Sequence, residues 1–237
     1  MSETIQEAIP NVGIGLYSMP EVSRIIGVES RKLRRWAKEY AHHADGTTRY
    51  HVPVIARHFG AGDDTLTFLE LIELLFVKLF REAGVTMPTI RAASQRFSEL
   101  FDARYPFTVK RFDTDGQHIF VTLRQETNDQ ELLQDIAKGQ LAFEEVVRPY
   151  FHNLDYDDDA FVRRFWPLGH EGRIVLDPRR RFGAPIDAET GIPTAVLYDA
   201  VHAGKTGQSI EAVAWWFEVP RAAVEVAVRY ETFLRAA

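Results

Sequence analysis

Between residues 17 and 40 apolar positions recur at the three- and four-residue spacing of a helix twice over, with a break at Gly27. Ser18 is placed to cap the first helix, with Glu21 three residues on, and Pro20 falls in the first turn, where a missing N–H does no harm. Val22, Ile25 and Ile26 form its apolar stripe, Gly27 permits a tight reversal, and Ser30 is placed to cap a second helix that buries Leu33, Trp36 and Ala37. The remaining face of that second helix is cationic: Arg31, Lys32, Arg34, Arg35 and Lys38. At helical spacing such a band reaches phosphates and base edges from the major groove, so the pattern predicts a DNA-binding helix-turn-helix. A solvated helical hairpin is the plainer alternative. Residues 47–59 predict a β-wing with Arg49, His51, Arg57 and His58, of the kind that straddles the backbone beside a recognition helix.

Downstream, Phe68, Leu71, Ile72, Leu75, Phe76 and Leu79 line one face of a long helix that opens at Thr65 or Thr67 and stops at Gly84. A further helix starts near Pro88, with Ile90, Ala93, Phe97, Leu100 and Phe101 inward. The pair serves either as cover for the helix-turn-helix core or as a dimer seam. From Pro106 the period changes to two, and FTVKRFD and QHIFVTLR around Asp115-Gly116 predict a β-hairpin. Helical and extended signals then mix as far as Trp166-Pro167, with Pro149 limiting any helix. From Arg173 two short strands, at residues 174–176 and 185–193, precede three helices: one capped by Thr194, one opened by Ser209, and one opened by Pro220 that runs to Leu234. The last helix is expected to present Glu225, Arg229 and Glu231 outward, a mixed face that suits a protein partner better than a polyanion. The expected fold class is α+β, mainly α, in three units: a winged helix-turn-helix over 1–104, a β-rich linker domain over 105–171 and a helical domain over 172–237.

The absence of cysteine removes disulfides, thiolate zinc sites and thiol-based sensing. The net charge of −6 is unevenly distributed: 12 basic residues face 11 acidic ones through residue 98, but only 6 face 14 over 99–160. A basic helix on a neutral head fits DNA binding with few phosphate contacts, which a second copy would double. No basic stretch leads into an apolar core at the N-terminus, and the longest apolar run is broken by Glu70, Glu73 and Lys78, so a cytoplasmic protein without a membrane span is expected.

Other signals carry little. Gly204-Lys205-Thr206 echoes a phosphate loop, but Asp199 stands where its first glycine belongs. His42, His43, His51 and His58 lack ligand spacing, and the run Asp155, Asp157, Asp158, Asp159 lacks the glycine and glutamate of a calcium loop, so it reads as a solvated turn. Glu144 and Glu145 have no identifiable base or nucleophile beside them. No catalytic residue, metal site or cofactor is assigned, and an enzyme is not expected.

The segment LYSMPEVSRIIGVESRKLRRW resembles the winged helix-turn-helix of MerR-like regulators. The C-terminal unit resembles a small strand-and-three-helix domain of antitoxins encoded beside PIN-domain ribonucleases. It supplies Asp177-Pro178, Gly183 with Pro185, Ile192-Pro193, Gly207 before Ser209 and Glu211, then Tyr230-Glu231. The two-domain order is similar to VapB-type antitoxins of VapBC modules, although this chain is longer than most of them and has Asp187, Glu189 and Thr190 where that family more often has Arg-Gly-Thr-Arg. The resemblance implies an antitoxin that sequesters a cognate PIN-domain VapC-type toxin and, with it or alone, represses its own operon; a homodimer is expected because paired half-sites raise affinity and match two-fold operators, with the C-terminal helices or the helix at 66–80 as seam. PIN toxins hold metal on acidic residues, so the implied toxin-binding cations are Arg179, Arg180 and Arg181, then Arg163 and Arg164. The alternative is a stand-alone MerR-like regulator with an apolar ligand pocket among Phe107, Phe112, Phe143, Tyr150, Phe151 and Trp166.

Overall fold

The computed structural model describes residues 14–38, 40–44, 47–60, 62–126, 130–204 and 207–236, with the side chains of 40–51, 118–119, 121–126 and 130–133 excepted. The head begins with β1 (Leu16–Ser18), α1 (Met19–Ile26) and α2 (Ser30–Ala37), continues through β2 (Tyr40–Ala44) and β3 (Thr47–His51), and closes with β4 (Thr65–Thr67). β1 and β4 pair antiparallel, Leu16 opposite Thr67, so the helix-turn-helix is clasped between the two ends of its own segment. β2 and β3 form the wing hairpin. It starts seven residues before the stretch expected from sequence.

The caps of α1 follow from its sequence. The Ser18 side chain accepts the Glu21 amide while Glu21 reaches back to the Ser18 amide, and Gly27, left-handed at φ 65°, returns its N–H to the Ser23 carbonyl. The expected Ser30 cap is corrected: Glu29 occupies the N-cap of α2, without a side-chain cap bond.

α3 (Phe68–Glu82) is the axis of the molecule and opens with a second capping box, Thr67 with Glu70. Nearly every side chain on it is buried, Glu70 and Glu73 included. That excludes the helix as a dimer seam, because its apolar surface is already covered by its own chain. Against it pack α4 (Met87–Phe101), α5 (Arg111–Glu126) and α6 (Gln130–Ala142). Leu100, expected inward on α4, is exposed.

α5 overturns the predicted β-hairpin at this position. Asp115-Gly116 lies mid-helix rather than at a turn, and Gly116 is needed for packing: a Cβ there would lie 2.3 Å from Phe143 Cε2. Gly139 in α6 plays the same part against the Phe120 ring. The rings of Phe76, Phe97, Phe107, Phe112, Phe143 and Phe151 interlock, with Phe97 and Phe112 edge to face at 4.9 Å. Phe107, Phe112, Phe143 and Phe151 therefore fill the space they were expected to line. Tyr150 packs half-buried on this cluster, and the Trp166 indole N–H donates to Asp155.

The hairpin of the central region is instead β5 (Leu154–Tyr156) with β6 (Val162–Phe165). Asp155 pairs with Arg164, and the Asp157 carboxylate accepts the Phe161 amide at its turn. β7 (Ile174–Val175) and β8 (Ile186–Asp187) form a last antiparallel pair, followed by α7 (Thr194–Val201), α8 (Ile210–Trp216) and α9 (Arg221–Ala236). One apolar cluster runs from Tyr17 to Leu176, and a smaller one joins Leu197, Val213, Val224 and Ala227 within the three C-terminal helices. Glu231, expected outward, is buried and accepts the Thr194 hydroxyl proton. No helix among the described residues is long and apolar enough to cross a membrane.

Candidate nucleic-acid interface

α2 is an eight-residue amphipathic helix whose Leu33, Trp36 and Ala37 are buried against the head. Arg31, Lys32, Arg34 and Arg35 are exposed, and the Lys32 ammonium lies 5.3 Å from the Trp36 ring centroid. The buried tryptophan thus fixes which edge of the helix turns to solvent, and that edge is the cationic one.

Lys38 and Arg34 are engaged from the side. Lys38 Nζ is 2.7 Å from Asp64 and also donates to the Gly62 carbonyl, while Arg34 is 3.5 Å from the other Asp64 oxygen. The hydrogen bond from Lys38, with Arg34 beside it, holds the Asp64 carboxyl below its ordinary value. The Arg34 and Asp64 side chains are about half exposed, and such surface pairs are worth only ~0–1 kcal/mol, which a phosphate can displace. Asp64 carries no local signal in the sequence. Chain closure after the wing brings it to α2 from 26 and 30 residues away.

Arg57 requires a correction. It does not project from the wing toward a phosphate. Its Nε bonds Glu70 at 3.1 Å, Nη1 the Ala37 carbonyl at 3.1 Å, and Nη2 the carbonyls of Asp63 and Thr65 at 3.0 and 2.8 Å. Glu70 also accepts the amides of His58 and Thr67. This buried node ties the end of α2 to the start of α3. The side chains of Arg49, His42, His43 and His51 lie outside the described residues, as do Lys205 and Thr206.

Of the five cations expected to face a protein partner, Arg179 and Arg181 are exposed. Arg180 donates to the Ala188 carbonyl and packs on Gly191, and Arg164 bonds the buried Asp177 at 3.0 Å. Arg163 is half-buried, and its Nε has no hydrogen-bond partner. Between Arg181 and Gly183 stands Phe182, 81% exposed, which sequence reasoning missed. Arg181 and Phe182 both hold left-handed backbone, φ 48° and 56°, an unfavoured state for side chains of this size. Among the described residues Trp215, Trp216 and Phe233 are the other large exposed aromatics.

A clasped two-helix unit with a wing and an outward basic second helix defines a helix-turn-helix protein of the DNA-binding class. Residues 15–94 match the family model described as "Putative DNA-binding HTH domain". Over 218 residues the chain is 26% identical to "Putative antitoxin VapB45" of Mycobacterium tuberculosis, spanning 86% of this chain and 90% of that protein. The crystal structure of Rv2018 from Mycobacterium tuberculosis superposes with a TM-score of 0.70 over 92% of this chain and 98% of that one, at 23% identity, a likeness of fold.

Proposed function

We propose that this chain is the antitoxin of a type II toxin-antitoxin pair that binds its own operator through α2 and the wing and neutralises a PIN-domain ribonuclease of the VapC type. The observation that carries the reading is the α2 face: Arg31, Lys32, Arg34 and Arg35 outward over a buried Leu33, Trp36 and Ala37. A helix about 10–12 Å in diameter fits the major groove, about 12 Å wide, and the eight residues of α2 run about 12 Å along it. The similarity to a putative antitoxin over most of both chains supports the second half.

The partner supplies the chemistry and this chain supplies contacts. Arg179 and Arg181 flank Phe182 as an exposed aromatic anchor between cations, which suits an acidic metal-holding site on the partner. The chain acts as a cytoplasmic homodimer whose seam lies on the C-terminal helices, where Trp215, Trp216 and Phe233 are exposed.

Two separable assays test this. Reversing Arg34 and Arg35 to Glu is expected to abolish an operator mobility shift while leaving growth rescue by co-expression with the genetically adjacent toxin intact. Reversing Arg179 and Arg181 is expected to do the opposite. An operator shift that survives the first pair of changes removes α2 from the mechanism, and rescue that survives the second removes the arginine loop.

A further inference from the structure

A cavity of about 170 Å³ opens where the head, the β5–β6 hairpin and the turn before β8 meet. Phe68, Leu69, Phe161, Val162 and Pro178 give it apolar walls. Two polar residues that also line it hold groups without hydrogen-bond partners. The Tyr105 hydroxyl is shut away from solvent in a residue only 4% exposed, and Arg163 Nε is likewise buried. Buried polar atoms are almost always paired, so two orphans on residues beside one cavity mark side chains that gain a partner by turning toward a group held there. Both can donate, and one belongs to a guanidinium that is always charged. Burial pushes the Tyr105 hydroxyl up to about 12, so it remains a neutral donor at physiological pH. Arg179 adds a second cation to the lining, while the Asp157 carboxylate is already bonded to the Phe161 amide.

We propose that this cavity is a binding site for a small ring-bearing monocarboxylate, its carboxylate on Arg163 and Tyr105 and its ring against Phe68, Phe161 and Pro178. Size agrees with chemistry: an apolar protein cavity of ~150 Å³ accommodates benzene, so the volume here suits one ring with a carboxylate and little more. Recognition follows the usual division of labour in small-molecule sites, with apolar walls that carry affinity and a few convergent polar groups that fix orientation. Thr67 and His58 also line the cavity, and their amides bond Glu70, so the site abuts the node that joins α2 to α3. The inference is independent of any protein partner.

The test uses the full chain and sodium benzoate as the probe, with benzyl alcohol as the uncharged match and ionic strength held constant. Methyl carbon–proton spectra are expected to show saturable shifts confined to Leu69, Val162 and Ile14 with benzoate, and at least about tenfold weaker binding of benzyl alcohol. Arg163→Met is expected to weaken benzoate by at least about tenfold and Tyr105→Phe by about threefold, with thermal melts unchanged or raised in the latter. Should Arg163→Met fail to fold, Arg163→Lys keeps the charge, loses the bidentate fork and is expected to give intermediate affinity. Shifts that do not saturate, equal binding of benzoate and benzyl alcohol, or affinity unmoved by both substitutions overturn the proposal.

Discussion

Arg57→Met tests whether the head is held together by its buried ion pair. The Arg57 and Glu70 side chains are 3% and 0% exposed, so solvent cannot compensate either charge when the other is lost. Removing Arg57 leaves the Glu70 carboxylate with only the His58 and Thr67 amides, and frees the carbonyls of Ala37, Asp63 and Thr65 of their donor. Breaking one side of such a pair costs ~3–5 kcal/mol, against a typical domain stability of ~5–15 kcal/mol. With a urea slope of about 2–3 kcal/mol/M, the midpoint falls by more than about 1 M. Adding Glu70→Gln removes the stranded charge, and the double variant is expected to recover at least about 1 kcal/mol of the loss. Had Arg57 been a phosphate contact on the wing, as its basic neighbours in sequence suggest, its loss would leave the melt alone and lower the salt slope of DNA binding by about one. A urea midpoint within about 0.3 M of the parent, or a double variant as unstable as the sum of the singles, refutes the reasoning.

Asp64→Asn removes the carboxylate that Lys38 and Arg34 engage, so operator affinity measured by fluorescence anisotropy is expected to rise about three- to tenfold at low salt, with the gain shrinking as salt is added. Unchanged or weaker binding would show that those two cations do not face the duplex. Glu73 is fully buried, and burial pushes its carboxyl well above the ordinary 4.5 even though it accepts the amides of Phe107 and Thr108. The folded state therefore holds a proton that the unfolded chain releases, so its contribution to stability is complete below about pH 4.5 and is lost as pH rises toward the folded value. Glu73→Gln, which mimics the protonated side chain, is expected to flatten that decline in denaturant melts at pH 5 and pH 8; a slope unchanged by the substitution contradicts this. Gly116→Ala adds a Cβ 2.3 Å from Phe143 Cε2, and overpacking of ~1–3 kcal/mol is expected to outweigh the ~1 kcal/mol that alanine gains over glycine in a helix. A thermal melt shifted upward would mean that Phe143 yields without strain.

The elements legible in the sequence are those whose determinants are local. Ser18 with Glu21, Gly27, and the stripe Leu33, Trp36, Ala37 all act within one or two turns, so they mark the helix-turn-helix in the sequence. The Ser209 cap was readable for the same reason, whereas Pro193 rather than the expected Thr194 holds the N-cap of α7. The central region was not, because two periods coexist there. FTVKRFD alternates, but Phe112, Gly116 and Phe120 also repeat every four residues, and that is the stripe α5 buries. The glycine concealed it: Gly116 counts as a turn former when read locally and as a contact surface once Phe143 is known to lie against it. Arg57 was misread by the same logic in electrostatic form, because a cation among cations looks solvated until its carboxylate, 13 residues on, is folded over it.

The C-terminal residues on which the resemblance rests are mostly taken up by internal contacts. Asp177 is buried, with its carboxylate on the Arg179 amide and the Arg164 guanidinium. Gly183, left-handed at φ 87°, accepts the Tyr17 hydroxyl proton at 2.8 Å, and a Cβ there would lie 2.2 Å from that oxygen. Thr194 and Pro193 close on Pro185 and Ile186, Gly207 passes close to the Val201 carbonyl, and Glu231 turns inward to Thr194. Asp187 and Glu189 both pair with Arg173 inside the chain. Most of these positions are thus taken up by the fold, although Glu211 stays exposed, and the Gly183–Tyr17 contact fastens the arginine loop to the helix-turn-helix head. The part of that loop left outward is Arg179, Arg181 and Phe182, on a backbone whose left-handed turn the buried Asp177 and Gly183 hold in place.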